Sequence, residues 1–440
     1  MLRRVLKLTR YQWTVFAAAW LGWGFDIFDG LLFNFVAPNA IPTLLDLPIG
    51  SPEANTALPY WNGILNSLLL LGWAAGGVIF GPISDRFGRK RVLMLTMLLY
   101  AVGTASCAFV TEMWQLVICR IIASLGIGGE WAAGSAMVAE VVPEDQRVEA
   151  GALLYTSAPF GLFLATFVNA EVAGVWFAHD PAMSWRYVML FGLLPATIAF
   201  VVRIFVHEPE RWAAAASKAP PARLREIFSP EIRKRTISAL IVTFVALITW
   251  WTCNAFIQAL ANALAGAEAG KLGLDPTATA ALKQAWIKRA TLWFNWGGLL
   301  GTLLTIPMAK FLGRRKMYAV YFAGSAAALL AAFGLDLSSE TRLYMYFFIG
   351  LTVFGVFGSF TFYLPELFPT RLRSTGSGFC YNIGRVVTAA GVFAVGAIVQ
   401  GAKGDPTVFV RTMCMIAAVP IIGLFLLHWV IETRGQKMPD

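Results

Sequence analysis

The sequence has very few of the side chains that most enzymes use for chemistry. Among its 440 residues there are three histidines, His179, His207 and His428, and all three lie near the ends of apolar runs. The five cysteines lie within such runs and show no metal-ligand spacing, so we expect neither disulfides nor a metal centre. Because neither a nucleophile–base pair nor a ligand cluster is visible, the sequence argues against an enzyme.

Charged residues are also scarce, at 14% of the chain, whereas 58% is hydrophobic. A soluble protein of this size needs more polar surface. Apolar runs of about 20 residues recur, the length of a helix that crosses ~30 Å of hydrocarbon. The sequence therefore predicts an all-α polytopic protein of the lipid bilayer with twelve transmembrane helices. These spans are predicted at 12–38, 61–83, 92–110, 113–139, 150–174, 187–206, 236–262, 291–312, 317–336, 343–364, 375–399 and 408–431.

The basic residues divide unevenly between the two sides of this topology. Of 35 Lys and Arg, 24 lie on one side, eight on the other and three within spans. Because basic loops stay in the cytoplasm, we predict that both termini are cytoplasmic and that the protein is a multi-pass protein of the cytoplasmic (inner) membrane. Orientation also accounts for the net charge of +10, so no nucleic-acid partner is predicted, and we expect a monomer.

Two motifs recur at nearly the same offset. Gly88-Arg89-Lys90-Arg91 follows the second span and Gly313-Arg314-Arg315-Lys316 follows the eighth, so the offset is 313 − 88 = 225. Glu140-x-x-Pro143-x-x-x-Arg147 follows the fourth span and Glu366-x-x-Pro369-x-x-x-Arg373 follows the tenth, so the offset is 366 − 140 = 226. A duplicated six-span unit is typical of transporters that bind substrate between two halves.

The repeat sets the predicted domain boundaries. They are an N-terminal six-helix half at 1–206, a cytoplasmic linker at 207–235 and a C-terminal half at 236–440. The C-terminal half contains an extracytoplasmic insertion at about 263–290, in which 277–288 predicts a short helix on the outer face.

The stretch Gly81-Pro-Ile-Ser-Asp85-Arg86-Phe-Gly88-Arg89-Lys90 resembles the signature loop of the major facilitator superfamily, and the resemblance covers the whole chain. Gly128-Gly129-Glu130-Trp131 and the paired aspartates of the first span are similar to the proton-coupled organic-acid symporters, including those for aromatic and sialic acids. The second copy of the loop differs, because Lys310 stands where Asp85 aligns. Pro365-Glu366-Leu-Phe-Pro369-Thr-Arg-Leu-Arg-Ser-Thr-Gly376 is shared with sugar porters too, but the paired glutamines of their seventh span are missing here.

Ionisable groups at membrane depth are costly and are candidates for function. Asp26 and Asp29 lie three residues apart and share a helix face, and Arg120 of the fourth span lies near the level of Asp29. We predict Asp29 as the proton-coupling carboxylate, tuned by Arg120, as the resemblance also implies. The alternatives are a static packing pair, or Asp26 as the proton carrier. Glu130 is either a second carboxylate that binds the transported proton or a structural hydrogen-bond partner.

Arg385, near the middle of the eleventh span, has no carboxylate in its own span. A substrate carboxylate suits a guanidinium well, so Arg385 is the predicted anion anchor, and a structural bond is the alternative. The residues predicted to line the site with it are Tyr155, Trp250, Asn254, Gln258, Tyr381 and Asn382. Each aromatic could instead belong to an interfacial belt.

A further set of charged residues lies at the cytoplasmic span ends. We predict that they form salt bridges that hold the outward-facing state, and a solvated basic rim is the alternative. The predicted gate residues are Asp85, Arg86, Arg89, Glu140, Arg147, Glu366 and Arg373.

The sequence thus predicts a proton-driven symporter for a small organic acid, an anionic small molecule, with the proton as coupling ion and no cofactor. Alternatives are a proton-coupled sugar or polyol symporter, a facilitator without proton coupling, an exporter, and a transport-inactive sensor. The sequence leaves open which acid is carried: a monocarboxylate, an aromatic acid, a sugar acid or a sialic acid.

Overall fold

A computed structural model describes residues 6–49, 51–177, 179–218, 223–401 and 406–439, and throughout these it is all-helical. Nine helical stretches of the described residues are long and apolar enough to cross a membrane. The helices of the N-terminal part are α1 (Arg10–Leu44), α2 (Pro52–Phe87), α3 (Arg89–Ser106), α4 (Met113–Val141), α5 (Arg147–Tyr155), α6 (Ser157–Glu171), α7 (Pro181–Phe191), α8 (Leu193–Ile204) and α9 (Glu210–Lys218). Those that follow are α10 (Arg233–Leu272), α11 (Pro276–Phe311), α12 (Arg314–Gly334), α13 (Ser339–Ile349), α14 (Phe360–Leu367), α15 (Arg373–Gly401), α16 (Pro406–Met415) and α17 (Ala418–Leu426).

Short polar residues begin several of these helices. The Thr9 side chain accepts from the amide of Gln12, whose own side chain caps the Thr9 amide in return. Ser51 and Asp275 cap α2 and α11, and each precedes a proline at the first helical position. The short outer helix expected at 277–288 is therefore not separate, because α11 runs unbroken from Pro276 to Phe311.

Two glycines make the tight turns that open α3 and α12. Gly88 has φ of 108° and Gly313 has φ of 86°, values that side chains with a Cβ rarely adopt. These turns are the structural form of the repeated Gly-Arg motif.

The described residues group into two compact units. One contains Met1–Arg233, Leu364–Val386 and Lys437–Asp440, and the other contains Lys234–Tyr363 and Val387–Gln436. The start of the predicted eleventh span thus belongs to the first unit. The division at a 207–235 linker remains a prediction from the repeat.

Helix α1 runs through the interior of the first unit. Three apolar clusters all include residues of α1, from Val15 and Phe16 in two of them to Phe28 and Leu32 in the third. Large apolar side chains of other helices, such as Leu98 and Phe167, are exposed, as expected where a helix faces lipid. Polar groups on α1 are therefore held away from lipid.

Candidate functional site

The two carboxylates of α1 are buried inside the first unit. Asp26 is 0% exposed and Asp29 is 2% exposed. Thr104, near the end of α3, donates a hydrogen bond from its Oγ1 to Oδ2 of Asp29 at 2.6 Å. Glu130 of α4 is buried as well. All three carboxylates therefore lie where a bound proton is shielded from bulk water.

Arg120 of α4 reaches the same turn of α1. Its Nη2 donates to the carbonyl of Gly30 at 3.0 Å, and its guanidinium lies 5.2 Å from the ring centroid of Phe33. Nε and Nη1 of Arg120 are buried and have no hydrogen-bond partner among the described residues. Within that part of the chain, Asp29 and Arg120 make no ion pair within 4.0 Å. Arg120 is thus a close neighbour of Asp29 with unused donors.

Arg385 lies in α15 and is held mainly by aromatic rings. Its guanidinium carbon is 4.4 Å from the ring centroids of both Trp73 and Tyr381. Its Nη1 donates to the side-chain oxygen of Asn382 and to the carbonyl of Tyr381. Nε is buried without a partner, and no carboxylate of the described residues lies within 4.0 Å of the guanidinium. The guanidinium of Arg385 is thus held in a fixed orientation, without a carboxylate partner in the part of the chain that the structure describes.

Further aromatic rings surround this cation. The ring of Trp131 stacks on Tyr381 with centroids 4.0 Å apart, and the hydroxyls of Tyr155 and Tyr381 are 3.3 Å apart. The ring centroid of Trp23 lies 6.0 Å from that of Tyr155 and 6.4 Å from those of Trp73 and Trp131. The indole N–H groups of Trp23 and Trp131 are buried and lack hydrogen-bond partners among the described residues.

These tryptophans were not among the predicted site residues. Trp23 and Trp73 lie in apolar runs that look like ordinary spans, and the chain has 16 tryptophans. The available signals were local, because Trp23 lies three residues before Asp26 and Trp131 follows Glu130 directly. A tryptophan beside an intramembrane carboxylate is a better candidate than one at a span end.

Small residues allow the helices that carry the site to approach closely. A Cβ at Gly128 would lie 2.0 Å from the carbonyl oxygen of Trp73, and one at Gly76 would lie 2.1 Å from that of Leu125. A Cβ at Gly77 would lie 1.9 Å from Nδ2 of Asn382. Glycine at these positions brings α2 against α4 and α15, which places Trp73 beside Arg385.

A second buried polar group, the Asp85 network, consists of Asp85, Arg89, Glu140 and Arg373. Arg89 Nη1 lies 2.7 Å from Asp85 Oδ1, and Arg89 Nη2 lies 2.9 Å from Glu140 Oε1. Arg373 Nη1 donates to the same Glu140 oxygen at 3.1 Å. All of these side chains are buried, so each charge is compensated inside the first unit.

Asp85 also accepts hydrogen bonds from the first turn of α15. The amides of Ser374 and Thr375 donate to its carboxylate at 3.2 and 2.7 Å, and Oγ1 of Thr375 donates at 2.6 Å. A carboxylate at a helix N-terminus also faces the positive end of the helix dipole. Asp85 thus binds a segment nearly 300 residues further along the chain.

The other predicted gate residues differ in their surroundings. Arg147 Nη1 lies 3.8 Å from Glu366 Oε1, beside the Asp85 network. Arg86 is exposed, with its guanidinium 5.1 Å from the ring of Phe87, and takes part in none of the ion pairs of the described residues.

The predicted lining residues of the seventh span belong to the second unit. Trp250 packs against Trp251 and Phe354, with centroids 4.9 and 5.6 Å apart, and Asn254 is half-buried. The side chain of Gln258 lies outside the described residues. These placements leave the roles of Trp250, Asn254 and Gln258 as predictions.

Two glutamates that sequence reasoning missed cap the Gly-Arg turns. The Glu208 carboxylate accepts from the amides of Lys90 and Arg91, and the Glu432 carboxylate accepts from those of Arg314 and Arg315. Their offset, 432 − 208 = 224, matches those of the other repeated motifs. That spacing was the signal that could have identified them.

This all-helical fold, with buried charges grouped around aromatic rings, defines a multi-pass membrane protein with a polar interior. The sequence model of the Major Facilitator Superfamily matches residues 19–282, and that of the family "Sugar (and other) transporter" matches residues 277–438. The chain belongs to the Major Facilitator Superfamily and is a transport protein rather than an enzyme.

Several relatives are named for the transport of organic acids. The "Probable 4-methylmuconolactone transporter" of Cupriavidus pinatubonensis is 28% identical over 96% of this chain and 91% of its own length. The "Cis,cis-muconate transport protein" of Acinetobacter baylyi is 28% identical over 77% of this chain and 78% of its own. Such names support a small-molecule cargo.

Solved structures share the fold at low sequence identity. The proton:xylose symporter XylE superposes with a TM-score of 0.75 at 17% identity, covering 97% of this chain and 98% of its own. The human organic anion transporter MFSD10 gives a TM-score of 0.69 at 16% identity, covering 95% of this chain and 100% of its own. At these identities the likeness concerns the fold alone.

Proposed function

We propose that the protein is a proton-coupled symporter that imports a small organic acid by alternating access. The observation that carries this proposal is Arg385, a buried guanidinium with an unpartnered Nε and no carboxylate within 4.0 Å among the described residues. A buried cation without an anion is costly, and a bidentate substrate carboxylate would relieve that cost. The names of the muconate and muconolactone transporters support the same class of cargo.

Proton coupling is assigned to Asp29, with Arg120 and Asp26 close by and Glu130 as a second buried carboxylate. A carboxylate beside a guanidinium changes its proton affinity when the distance or hydration between them changes. Asp29 accepts from the hydroxyl of Thr104 on α3 and lies near the Arg120 guanidinium, of which Nε and Nη1 have no hydrogen-bond partner among the described residues. A small shift of α1 against α3 and α4 therefore alters both contributions to the proton affinity of Asp29. The proton is then the only coupling ion required, and no cofactor takes part.

The Asp85 network, with Arg147 and Glu366, is assigned to the gate at the cytoplasmic side. Its ion pairs would hold that side closed and break when the substrate is released inward. This assignment rests on the excess of basic residues on the same side, which also supports an inner-membrane protein with cytoplasmic termini.

The test is proton uptake by proteoliposomes that contain the pure protein. The panel comprises cis,cis-muconate, nicotinate, sialic acid, nicotinamide and D-xylose. Nicotinate and nicotinamide share a ring and differ in the carboxylate, so they isolate its contribution. We expect alkalinisation outside with at least one acid and none with nicotinamide.

Two variants test the roles proposed for Arg385 in acid binding and for Asp29 in proton coupling. Arg385→Lys keeps the charge but loses the planar fork, so we expect a loss of affinity of about tenfold or more for the transported acid. Asp29→Asn should abolish proton-driven accumulation and retain counterflow of labelled acid. Unchanged affinity in Arg385→Lys, or full pH-driven accumulation in Asp29→Asn, would contradict the respective assignment.

A proton-coupled sugar symporter is the second candidate, favoured by the family match over residues 277–438 and the xylose symporter's fold. A response to D-xylose and to no acid would establish it and make Arg385 a structural residue. Counterflow without proton movement would identify a facilitator.

A further inference from the structure

Trp73 lies near both residues to which the proposed mechanism assigns a role, the anion anchor Arg385 and the proton-coupling Asp29. Its ring centroid is 4.4 Å from the guanidinium carbon of Arg385. The edge of the same ring lies beside Gly30, where an added Cβ would be in ordinary contact with Cζ3 of Trp73 at 3.8 Å, with its Cη2 at 3.9 Å and with Cδ1 of Ile127 at 3.7 Å. The Trp73 side chain is only 2% exposed, so it is enclosed on all sides. One rigid ring therefore extends from the proposed anion anchor to the side of the first helix.

The part of α1 that lies beside the Trp73 ring is the turn of the proposed proton-coupling carboxylate. Gly30 follows Asp29, and its carbonyl accepts the hydrogen bond from Arg120. The charged and titratable groups facing Asp29 are Arg120 from α4 and the thiol of Cys107 after α3, with Asp26 one turn away on α1. A change of charge on Asp29 thus acts on the groups that fix the Gly30 backbone.

The backbone of Trp73 has little freedom to absorb such a change. Gly128 of α4 packs directly on the Trp73 carbonyl, where even a methyl group would come within 2.0 Å. Movement of α1 at Gly30 towards α2 therefore presses on the indole ring, together with Ile127 of α4, and close-packed interiors transmit strain. The face of the same ring lies against the guanidinium of Arg385.

The geometry points to Trp73 as a positioning residue that couples the protonation of Asp29 to acid binding at Arg385. This inference rests on the proposed function and adds the element that links its two sites. When Asp29 binds a proton, Arg120 and the Gly30 carbonyl rearrange, and the Trp73 ring carries the shift to the guanidinium. The coupling free energy is then the difference in the Trp73–Arg385 contact between the two protonation states.

The test measures binding of cis,cis-muconate, nicotinate and sialic acid to the purified full chain in detergent between pH 5.5 and pH 8. For wild type we expect log Kd to rise with pH with a slope of about one, as for one linked proton. In Trp73→Leu we expect affinity to fall about tenfold, through loss of the cation–π contact, and the slope to flatten towards zero. Trp73→Phe keeps an aromatic face and should restore part of both.

Trp185→Leu is the matched control. Trp185 is also fully buried in the first unit, and its ring lies 4.4 Å from the guanidinium of Arg186 rather than Arg385. It should lower thermal stability comparably to Trp73→Leu but keep the wild-type slope. Thermal melting of all three variants shows whether the chain is folded.

The outcomes separate the two claims. A wild-type protein that binds none of the three acids, or binds one independently of pH, overturns the proposed function and this inference with it. Wild-type binding that depends on pH, with the same slope in folded Trp73→Leu or Trp73→Phe, overturns the inference alone. A slope lost equally in Trp185→Leu also overturns it, because the effect would then follow from any buried tryptophan.

Discussion

At the scale of single residues, aromatic stacking replaces ion pairing around Arg385. Trp73 and Tyr381 contact the guanidinium, and Trp131 supports Tyr381 from behind. Aromatic faces attract a cation without neutralising it. The guanidinium is therefore fixed in place and keeps its capacity for an anion, unlike Arg89, whose charge is already matched by Asp85 and Glu140.

Sequence reasoning identified the buried charges and the two tyrosines beside Arg385, Tyr155 and Tyr381, but not the tryptophan rings around them. Asp26, Asp29, Arg120, Glu130 and Arg385 are conspicuous because charge is rare in an apolar run, and all five are at most 2% exposed. An aromatic residue in an apolar run is unremarkable, so nothing in the pattern distinguishes Trp73 from a tryptophan that faces lipid. Packing in three dimensions makes that distinction.

Removal of the charge at Asp85 should open the network to water. In a background without the native cysteines, the fully buried Ser377→Cys serves as a reporter in α15. Asp85→Asn loses the ion pair with Arg89 and weakens the cap on α15, and breaking a buried pair costs about 3–5 kcal/mol. We expect maleimide labelling of the reporter to become at least tenfold faster. A tenfold change corresponds to a decrease of about 1.4 kcal/mol in the free energy of opening.

The control for Asp85→Asn is Glu340→Gln, since the Glu340 side chain is 58% exposed and pairs with Arg289 at 2.6 Å. Exposed pairs contribute little, so labelling should change by less than about threefold. Equal acceleration in both variants would show that the Asp85 network does not govern access.

At the scale of elements, the repeated turn before α3 and α12 depends on a glutamate from a distant segment. Helix N-termini have amides without intrahelical partners, and Glu208 and Glu432 each accept from two of them. The Gly-Arg motif was visible in the sequence, because its letters are contiguous. Its glutamate partner was not, because it lies 118 residues away in each copy.

Glu208→Ala should therefore cost about 1 kcal/mol of stability, as expected for the loss of a helix cap. Thermal melting in detergent measures it, with Glu432→Ala as the equivalent change in the second copy. Glu210→Ala, two residues away and exposed, should be nearly neutral. If Glu208→Ala and Glu210→Ala melt alike, the capping role is excluded.

The short turn Leu224–Phe228 contains a carboxylate, Glu226, whose contacts respond to pH. Arg371 donates to the carboxylate of Glu226, and this hydrogen bond holds the pKa of Glu226 below its ordinary value of 4.5. Because the folded-state pKa is lowered, the contact stabilises the turn above the ordinary value. That contribution is lost as the pH falls through the lowered pKa.

Hydrogen exchange over 224–228, normalised for intrinsic rates, should thus show protection at neutral pH that declines below pH 4.5. Glu226→Gln should remove the pH dependence, and the exposed Glu231→Gln should leave it intact. An unchanged profile in Glu226→Gln would assign the protection to other contacts.

At the scale of the whole molecule, the two compact units of the structure do not coincide with the two copies of the sequence repeat. The repeat divides the chain near its middle, whereas Leu364–Val386 and Lys437–Asp440 group with the first unit. Sequence similarity records a duplication, so it identifies equivalent segments. Sequence similarity does not predict a contact such as that between Asp85 and Thr375, which joins residues 290 positions apart. The all-helical polytopic fold was thus predictable, and the grouping of Leu364–Val386 with the first unit was not.

This separation sets the order in which the protein can be completed during synthesis. Ribosomes add about 5–20 residues per second, so roughly 15–60 s pass between the emergence of Asp85 and that of Thr375. During this interval the nascent first unit holds Asp85, Arg89 and Glu140 without the partners that Arg373, Ser374 and Thr375 later supply. The part of the first unit before residue 234 therefore remains incomplete in the membrane, and the arrival of Leu364–Val386 supplies the contacts that complete it.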